Sequence, residues 1–291
     1  MFRDRRANLI DERKIPRVVH QTFAHLDDLT PEILEKNRRL ALLNPRYRFE
    51  FYDDLRMGEW LRTNCSAKQF EIFQSINPKY GAARADFFRY LLIYKMGGIY
   101  LDIKSTCIAP FDEVIQLSDE FLVSKWEIDP ATGNRKFGRH KELQKLKIDE
   151  FQQWFLISIP QNPIFLSVID YITEQIALSP TRYHTKFGKL GVLKLTGPIA
   201  FSKVLGQFVG HINLREIESY SEGFRYKSSI GTSEISYATK SGKHYSKIYE
   251  PIVLQNNYFK MQVQTYLNFL VFQWVERLDI FFYRIIRKIK S

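Results

Sequence analysis

The stretch 81–104, GAARADFFRYLLIYKMGGIYLDIK, constrains the fold of this chain more than any other. Its apolar residues recur at helical steps as far as Met96, which predicts a helix over 80–96. Asp86, Arg89, Tyr90, Ile93 and Gly97 share one face of that helix, because residues three and four apart are neighbours. A carboxylate and a guanidinium at that spacing can pair with each other or face a ligand, and both readings stay open. Gly97-Gly98 then ends the helix, since glycine takes a left-handed backbone without steric cost and lets the chain approach a ligand closely. Beyond the pair, Ile99, Leu101 and Ile103 alternate with Tyr100, Asp102 and Lys104, which predicts a strand over 99–108. Asp102 and Lys104 would lie on one face of it, about 7 Å apart. Ligands of open α/β sheets sit at the carboxyl ends of strands, where this pair falls.

The flanking sequence extends the same alternation. IPRVVHQTF (15–23) reads as a buried strand. Thr30-Pro31 starts a helix that ends near Leu43, ahead of Asn44-Pro45. YRFEFYDD (47–54) is a second strand, followed by helical segments to about Asn64 and over 66–76. EFLVSKWEI (120–128) and FQQWFLISIP (151–160) are further strands, with a polar, basic loop or hairpin at 129–150. Helices follow from Asn162-Pro163 to about Leu178 and from Gly197-Pro198 to about Phe208. Strands that alternate with helices predict an α/β fold on a mainly parallel sheet flanked by helices. The expected division is a catalytic-size domain over 1–257 and an appended helix over 258–291.

A formal charge of +11 favours anionic partners such as nucleotide diphosphates or acidic headgroups. Nucleic acid is set aside, because no binding module accompanies the charge and carboxylates line the candidate site. Two cysteines, Cys65 and Cys107, suit free thiols in a reducing compartment. MFRDRRANLIDERK has no apolar core like that of a secretory signal or anchor, so a cytoplasmic, membrane-peripheral protein is expected. Residues 262–290 form an aromatic, basic amphipathic stripe, suited to an anionic membrane surface or to packing on the protein.

Arg84, Asp86, Arg89, Tyr90, Gly97, Gly98, Tyr100 and Asp102 fall in the pattern R-x-D-x-x-R-Y…G-G-x-Y-x-D. This resembles the sugar-binding region, containing the Asp-x-Asp motif, of glycosyltransferase family 32. IPRVVHQTF resembles the family's opening strand I-P-K-x-I-H-Q-x-W, with Phe23 in place of Trp. FEFYDD is similar to its second strand and LTGPIAFSKVL to a later T-G-P segment. The resemblance implies a GT-A type Rossmann-like fold and retaining transfer of a sugar from a nucleotide-sugar donor to a glycan or glycolipid in cell-surface polysaccharide synthesis. A non-catalytic sugar-nucleotide binder is the alternative. It also implies that His20, Gln21, Thr22, Tyr52 and Asp53 border the nucleotide, although His20 could equally be a core histidine. Asp86 would bind donor hydroxyls, Arg89 the sugar or diphosphate, and Asp102 the ribose, sugar or metal. Arg84, Tyr90, Gly97, Gly98, Tyr100 and Gly197 would complete the donor pocket. His244, in GKHYSKIYE, loosely matches a C-terminal histidine that would contact diphosphate or metal; Lys243 and Lys247 flank it.

Lys104 departs from the family pattern. Metal-dependent relatives have a second carboxylate there, holding Mn²⁺ or Mg²⁺ against the leaving diphosphate. A protonated lysine repels a cation but can meet a phosphate oxygen itself. Three arrangements stay open: Lys104 in place of the metal, a metal held by Asp102 and substrate phosphates, and Lys104 turned to solvent. No carboxylate is placed as a nucleophile, so a front-face route is expected.

Overall fold

The computed structural model describes residues 13–129, 134–135, 138, 140–179, 187–210, 213–226, 248–254, 265–268 and 270–271. The chain opens with β1 (Val18–Thr22), α1 (Pro31–Leu43) and β2 (Arg48–Tyr52). Three helices follow, α2 (Asp54–Asn64), α3 (Ala67–Ser75) and α4 (Gly81–Met96), leading into β3 (Gly98–Leu101). Next come β4 (Thr106–Cys107), α5 (Phe111–Val114), β5 (Phe121–Val123), the pair β6 (Ile128–Asp129) and β7 (Asn134–Arg135), and α6 (Lys141–Gln144). The last part holds β8 (Phe155–Ser158), α7 (Pro163–Ala177), α8 (Gly188–Leu195), α9 (Pro198–Leu205), β9 (Arg215–Glu216) and β10 (Phe224–Arg225).

Six of the described strands form one sheet in the order β2-β1-β3-β8-β5-β9. β1 runs parallel to β2 and β3, and β5 parallel to β9, while β8 is antiparallel to both β3 and β5. The expected α/β architecture on a mainly parallel sheet is therefore present, with one reversed strand. Chain order places β2 on one side of β1 and β3 on the other. That reversal is the switch point of the strand order, and ligands of such sheets sit at the carboxyl ends of the strands flanking it, here β1 and β3.

The two sheet faces carry separate cores. Tyr100 and Leu156 point toward α4, α7 and α9, among Phe87, Leu91, Phe165 and Phe201. Ile99, Leu101 and Ile157 point the other way, toward Leu40 of α1 and Phe111 of α5. Every residue of α4 from Asp86 to Ile93 is buried. A helix enclosed all round belongs to the interior, so the charged pair on α4 is carried inside with it.

Local signals place several helix starts. Thr30 Oγ1 accepts from Ile33 N at the head of α1, with Pro31 next, and Asn162 caps α7 in the same way. Ser66 and Gln69 form a reciprocal capping box on α3. Other boundaries differ from the sequence reading. The strand over 99–108 is two pieces, because the chain turns after Leu101 and Ser105 N closes that turn on Asp102 O at 2.8 Å. β5 stops at Val123, and β8 begins only at Phe155. α8 was not anticipated.

The glycine pair serves the fold. Gly97 and Gly98 have φ of +61° and +89°. A Cβ on Gly97 would lie 2.6 Å from Pro160 N, and one on Gly98 2.5 Å from Val18 Cγ1. The close approach is thus chain to chain, at the amino end of β3 and about 13 Å from Asp102. The contacts that require glycine at these two positions are thus with Pro160 and Val18.

Within the expected C-terminal helix, 265–268 and 270–271 are helical, and buried Asn268 donates to Tyr249 O at 2.8 Å. The rest of that stripe, together with Lys243, His244, Lys247, Lys136 and Arg139, lies outside the described residues. Among the described residues no helix is long and apolar enough to cross a membrane.

Candidate functional site

Asp102 leaves β3 at its carboxyl end, on the side of the sheet that α4 covers. Its side chain is 34% exposed, and its Oδ1 lies 3.3 Å from Nη1 of Arg89. Arg89 is almost fully buried on α4. Its Nη2 lies 3.2 Å from Asp86 Oδ1, its Nη1 donates to Gln153 O at 2.8 Å, and its guanidinium stacks 4.4 Å above the Tyr100 ring. Behind it, Asp86 accepts from Gln153 Nε2 at 3.2 Å and from Thr196 Oγ1 at 3.0 Å. The result is a charged chain, Asp86–Arg89–Asp102, that begins inside the protein and reaches water at Asp102.

Burial pushes the Asp86 carboxyl up to about 6, against the pull of the Arg89 guanidinium and the Thr196 hydroxyl. At neutral pH it is therefore still ionised. Burial also pulls on Arg89, but Tyr100, Asp102 and Asp86 more than offset it, and the guanidinium stays charged. Both Asp86 oxygens are engaged within the protein.

The turn after β3 carries the second half of the site. Asp102 and Lys104 are not neighbours along a strand, as the alternation suggested; they sit on the turn closed by Ser105. Lys104 is half-buried, with its Nζ 5.9 Å from the centre of the Phe23 ring at the end of β1. From the opposite side Lys36 of α1 enters beneath the turn. It is 5% exposed, and its Nζ donates to Ile103 O and, at 2.8 Å, to Ser105 O. Burial pulls its ammonium down to about 7; Asp102 opposes that pull and Lys104 adds to it. Three basic side chains, Arg89, Lys36 and Lys104, thus gather around two carboxylates.

The other expected residues are distributed as follows. His20 is fully buried, with Nε2 3.2 Å from Gly97 O and Nδ1 3.5 Å from the Tyr52 hydroxyl, and burial lowers it to about 4. Of its two readings, the core histidine is the one this geometry matches. Tyr52 packs edge-on against Phe88, and Asp53 caps α2 through Arg56 N. Gln21 donates to Asn37 Oδ1 at 3.0 Å, and Thr22 Oγ1 meets the Tyr100 hydroxyl at 2.9 Å. Arg84 lies 4.3 Å over the Phe73 ring, within the field of Asp54. Tyr90 stacks on Phe201, its hydroxyl shared between Gln153 Oε1 and Thr196 O. Gly197 heads α9, where a Cβ would lie 2.7 Å from Leu193 Cα. These residues build the wall of the site more than its opening.

Lys36, Gln153 and Thr196 went unrecognised in the sequence. Lys36 had a signal: it stands between Ile33 and Leu40 on the buried face of α1, where an apolar residue belongs. Gln153 reads as part of a strand, and Thr196 is the first residue of the T-G-P segment, in which only Gly197 is singled out as a site residue.

Of the two residues expected to contact a Mn²⁺ or Mg²⁺, Asp102 is described and His244 lies outside the described residues. Such hard cations take several oxygen ligands. Here Asp102 is paired to Arg89, with Lys36 and Lys104 close by. Among the described residues no group of three or more His, Cys, Asp or Glu is placed to hold a metal ion.

Residues 33–121 match the family model described as a glycosyltransferase sugar-binding region containing DXD motif. The chain is similar to inositol phosphoceramide mannosyltransferase 3 of Schizosaccharomyces pombe, 32% identical over 105 residues, which is 35% of this chain and 27% of that one. It is also similar to a mannosyl phosphorylinositol ceramide synthase of Saccharomyces cerevisiae, 29% identical over 170 residues, 53% of this chain and 41% of that one. The chain spans less than half the length of both relatives. Among solved structures, the PaToxG glycosyltransferase superposes with a TM-score of 0.46 at 18% identity, over 67% of this chain and 70% of the other.

Proposed function

We propose that this chain, whose residues 33–121 match the model of a glycosyltransferase sugar-binding region containing DXD motif, carries out retaining transfer of a sugar from a nucleotide-sugar donor to a glycan or glycolipid acceptor. The observation that carries this reading is the buried Asp86–Arg89–Asp102 chain, which surfaces at the carboxyl end of β3 beside Lys104. Buried charges are costly, and this one ends where a ligand of the sheet would sit. The basic side chains gathered there suit a diphosphate.

In this reading Asp102 takes hydroxyls of the donor, and Lys104 meets the diphosphate. An ammonium and a phosphate oxygen at 4 Å attract by about 1 kcal/mol in water and about 4 kcal/mol near a protein surface. Transfer follows the front-face route. The bond from the anomeric carbon to the phosphate oxygen breaks, and its electron pair leaves with the diphosphate. The acceptor oxygen bonds to that carbon on the same face and gives its proton to a phosphate oxygen. Lys104 stabilises the charge that develops there, the kind of term whose loss costs about 10²–10³ in rate.

Donor turnover with a panel of UDP- and GDP-sugars tests this. Turnover should persist in strong chelator and drop about a hundredfold in Asp102→Asn. Lys104→Asp, which restores the family's second carboxylate, should make the remaining turnover depend on Mn²⁺. No turnover in either wild type or Asp102→Asn would favour a non-catalytic binder. Complete loss in chelator, restored by Mn²⁺, would sink the role given to Lys104.

A further inference from the structure

We propose that Lys36 is a positioning residue of the donor site, pinning the Asp102–Ser105 turn from beneath so that Asp102 and Lys104 face a nucleoside diphosphate together. The inference rests on the donor-site reading above. Its basis is a lysine where the fold calls for an apolar side chain. Ile33, Lys36 and Leu40 form the buried face of α1, and an amine taken out of water there is tolerated only when hydrogen-bonded. Two backbone carbonyls, Ile103 O and Ser105 O, accept from it.

Those two carbonyls flank Lys104. One belongs to the peptide that enters Lys104, the other to the residue after it. With the bond from Ser105 N to Asp102 O at 2.8 Å, three hydrogen bonds fix the backbone that carries both ligand-facing side chains. Arg89 reaches Asp102 from α4 and Lys36 reaches the turn from α1, so the turn is held from both faces of the sheet. A side chain delivered by α1 thus orders the loop where relatives with two carboxylates would present a metal-binding pair.

Inorganic pyrophosphate is the probe, because it carries the diphosphate without committing to a base or sugar. Wild type, Lys36→Met and Lys36→Arg are titrated with it in EDTA, and amide hydrogen exchange is followed over residues 101–107. Lys36→Met keeps most of the aliphatic stem and removes the donor. It should bind pyrophosphate about tenfold more weakly, the loss expected for one or two hydrogen bonds. Exchange at Ser105 should speed up as well, and Lys36→Arg should recover most of both. Affinity within about twofold of wild type, with exchange unchanged, overturns the assignment. Should Lys36→Met fail to fold, the wild-type ¹⁵N resonance of the Lys36 amine decides: it must move on adding pyrophosphate while that of exposed Lys79 does not. Wild type that binds no pyrophosphate either in EDTA or with Mn²⁺ added overturns the donor-site reading itself, a result separable from an unaffected Lys36→Met.

Discussion

Arg89 is reached from three directions: Asp86 one turn away on its own helix, Asp102 from the end of β3, and Gln153 from the loop before β8. Taking one partner out of such a buried set leaves an uncompensated charge, which costs more than the intact set contributes. Arg89→Met should therefore destabilise the protein by about 3–5 kcal/mol at neutral pH. The carboxyl of Asp86, already raised to about 6 by burial, loses its guanidinium and rises further in the variant. Acid then neutralises it, so the deficit relative to wild type should shrink as pH falls toward 5. Urea unfolding at two pH values measures this, and a deficit that does not change with pH would contradict it. Asp86, Arg89 and Asp102 were legible in the sequence because charges at helical spacing on an apolar helix, and at a strand end, stand out locally. Lys36, Gln153 and Thr196 were not, because their contacts span 67, 67 and 110 positions along the chain. Lys36 left a local trace, as a charge on an apolar stripe, and Thr196 left one as the first residue of the T-G-P segment.

Elements with local punctuation could be read from sequence to within a residue or two. Thr30-Pro31 and Asn162-Pro163 satisfy the free amides of a helix start by themselves. The end of β3 could not be read, because its period-two alternation continues through the turn that terminates it. The reversal of β8 was equally hidden, since direction is set by pairing with β3 and β5 and leaves no mark on the strand's composition. Glycines at element junctions show how local and non-local causes part. Gly98 sits at φ +89°, and its Cβ would lie 2.5 Å from Val18 Cγ1 and 2.6 Å from Val18 O. The second of these is backbone in an interior strand, paired on both sides, and cannot step aside. Gly98→Ala should cost about 2–5 kcal/mol from strain and overpacking together. Gly58, inside α2, has nothing within 4 Å of the point a Cβ would occupy. Gly58→Ala should instead stabilise by about 0.5–1 kcal/mol through helix propensity. Denaturant unfolding of the two variants should give opposite signs; a shared sign would remove the distinction between the two glycines.

The molecule as a whole should register its buried histidine in acid. His20 lies in the interior strand β1, opposite Glu50 on β2 and Tyr100 on β3, and its ring ties that strand to the α4–β3 junction through Gly97 O. Its pKa is lowered from 6.5 to about 4, chiefly by burial, with the Gly97 bond opposing and Arg48 assisting. Between these two values the unfolded chain binds the extra proton and the folded protein does not. Folding stability therefore rises with pH across that window, and falls as pH drops through it. The full difference corresponds to ~3 kcal/mol, complete near pH 4. Two other effects share the window. Asp86, raised rather than lowered, works in the opposite sense, and the charge of +11 grows as carboxylates protonate. Both are common to wild type and to a His20→Gln variant, whose amide can still donate to Gly97 O. The informative quantity is thus the difference between the two unfolding free energies. It should be constant above about pH 6.5, shift against wild type as pH falls, and level off near pH 4. Parallel curves for the two proteins from pH 7 to pH 4 would mean that His20 takes up its proton in the folded state, and that its ring is open to a ligand after all.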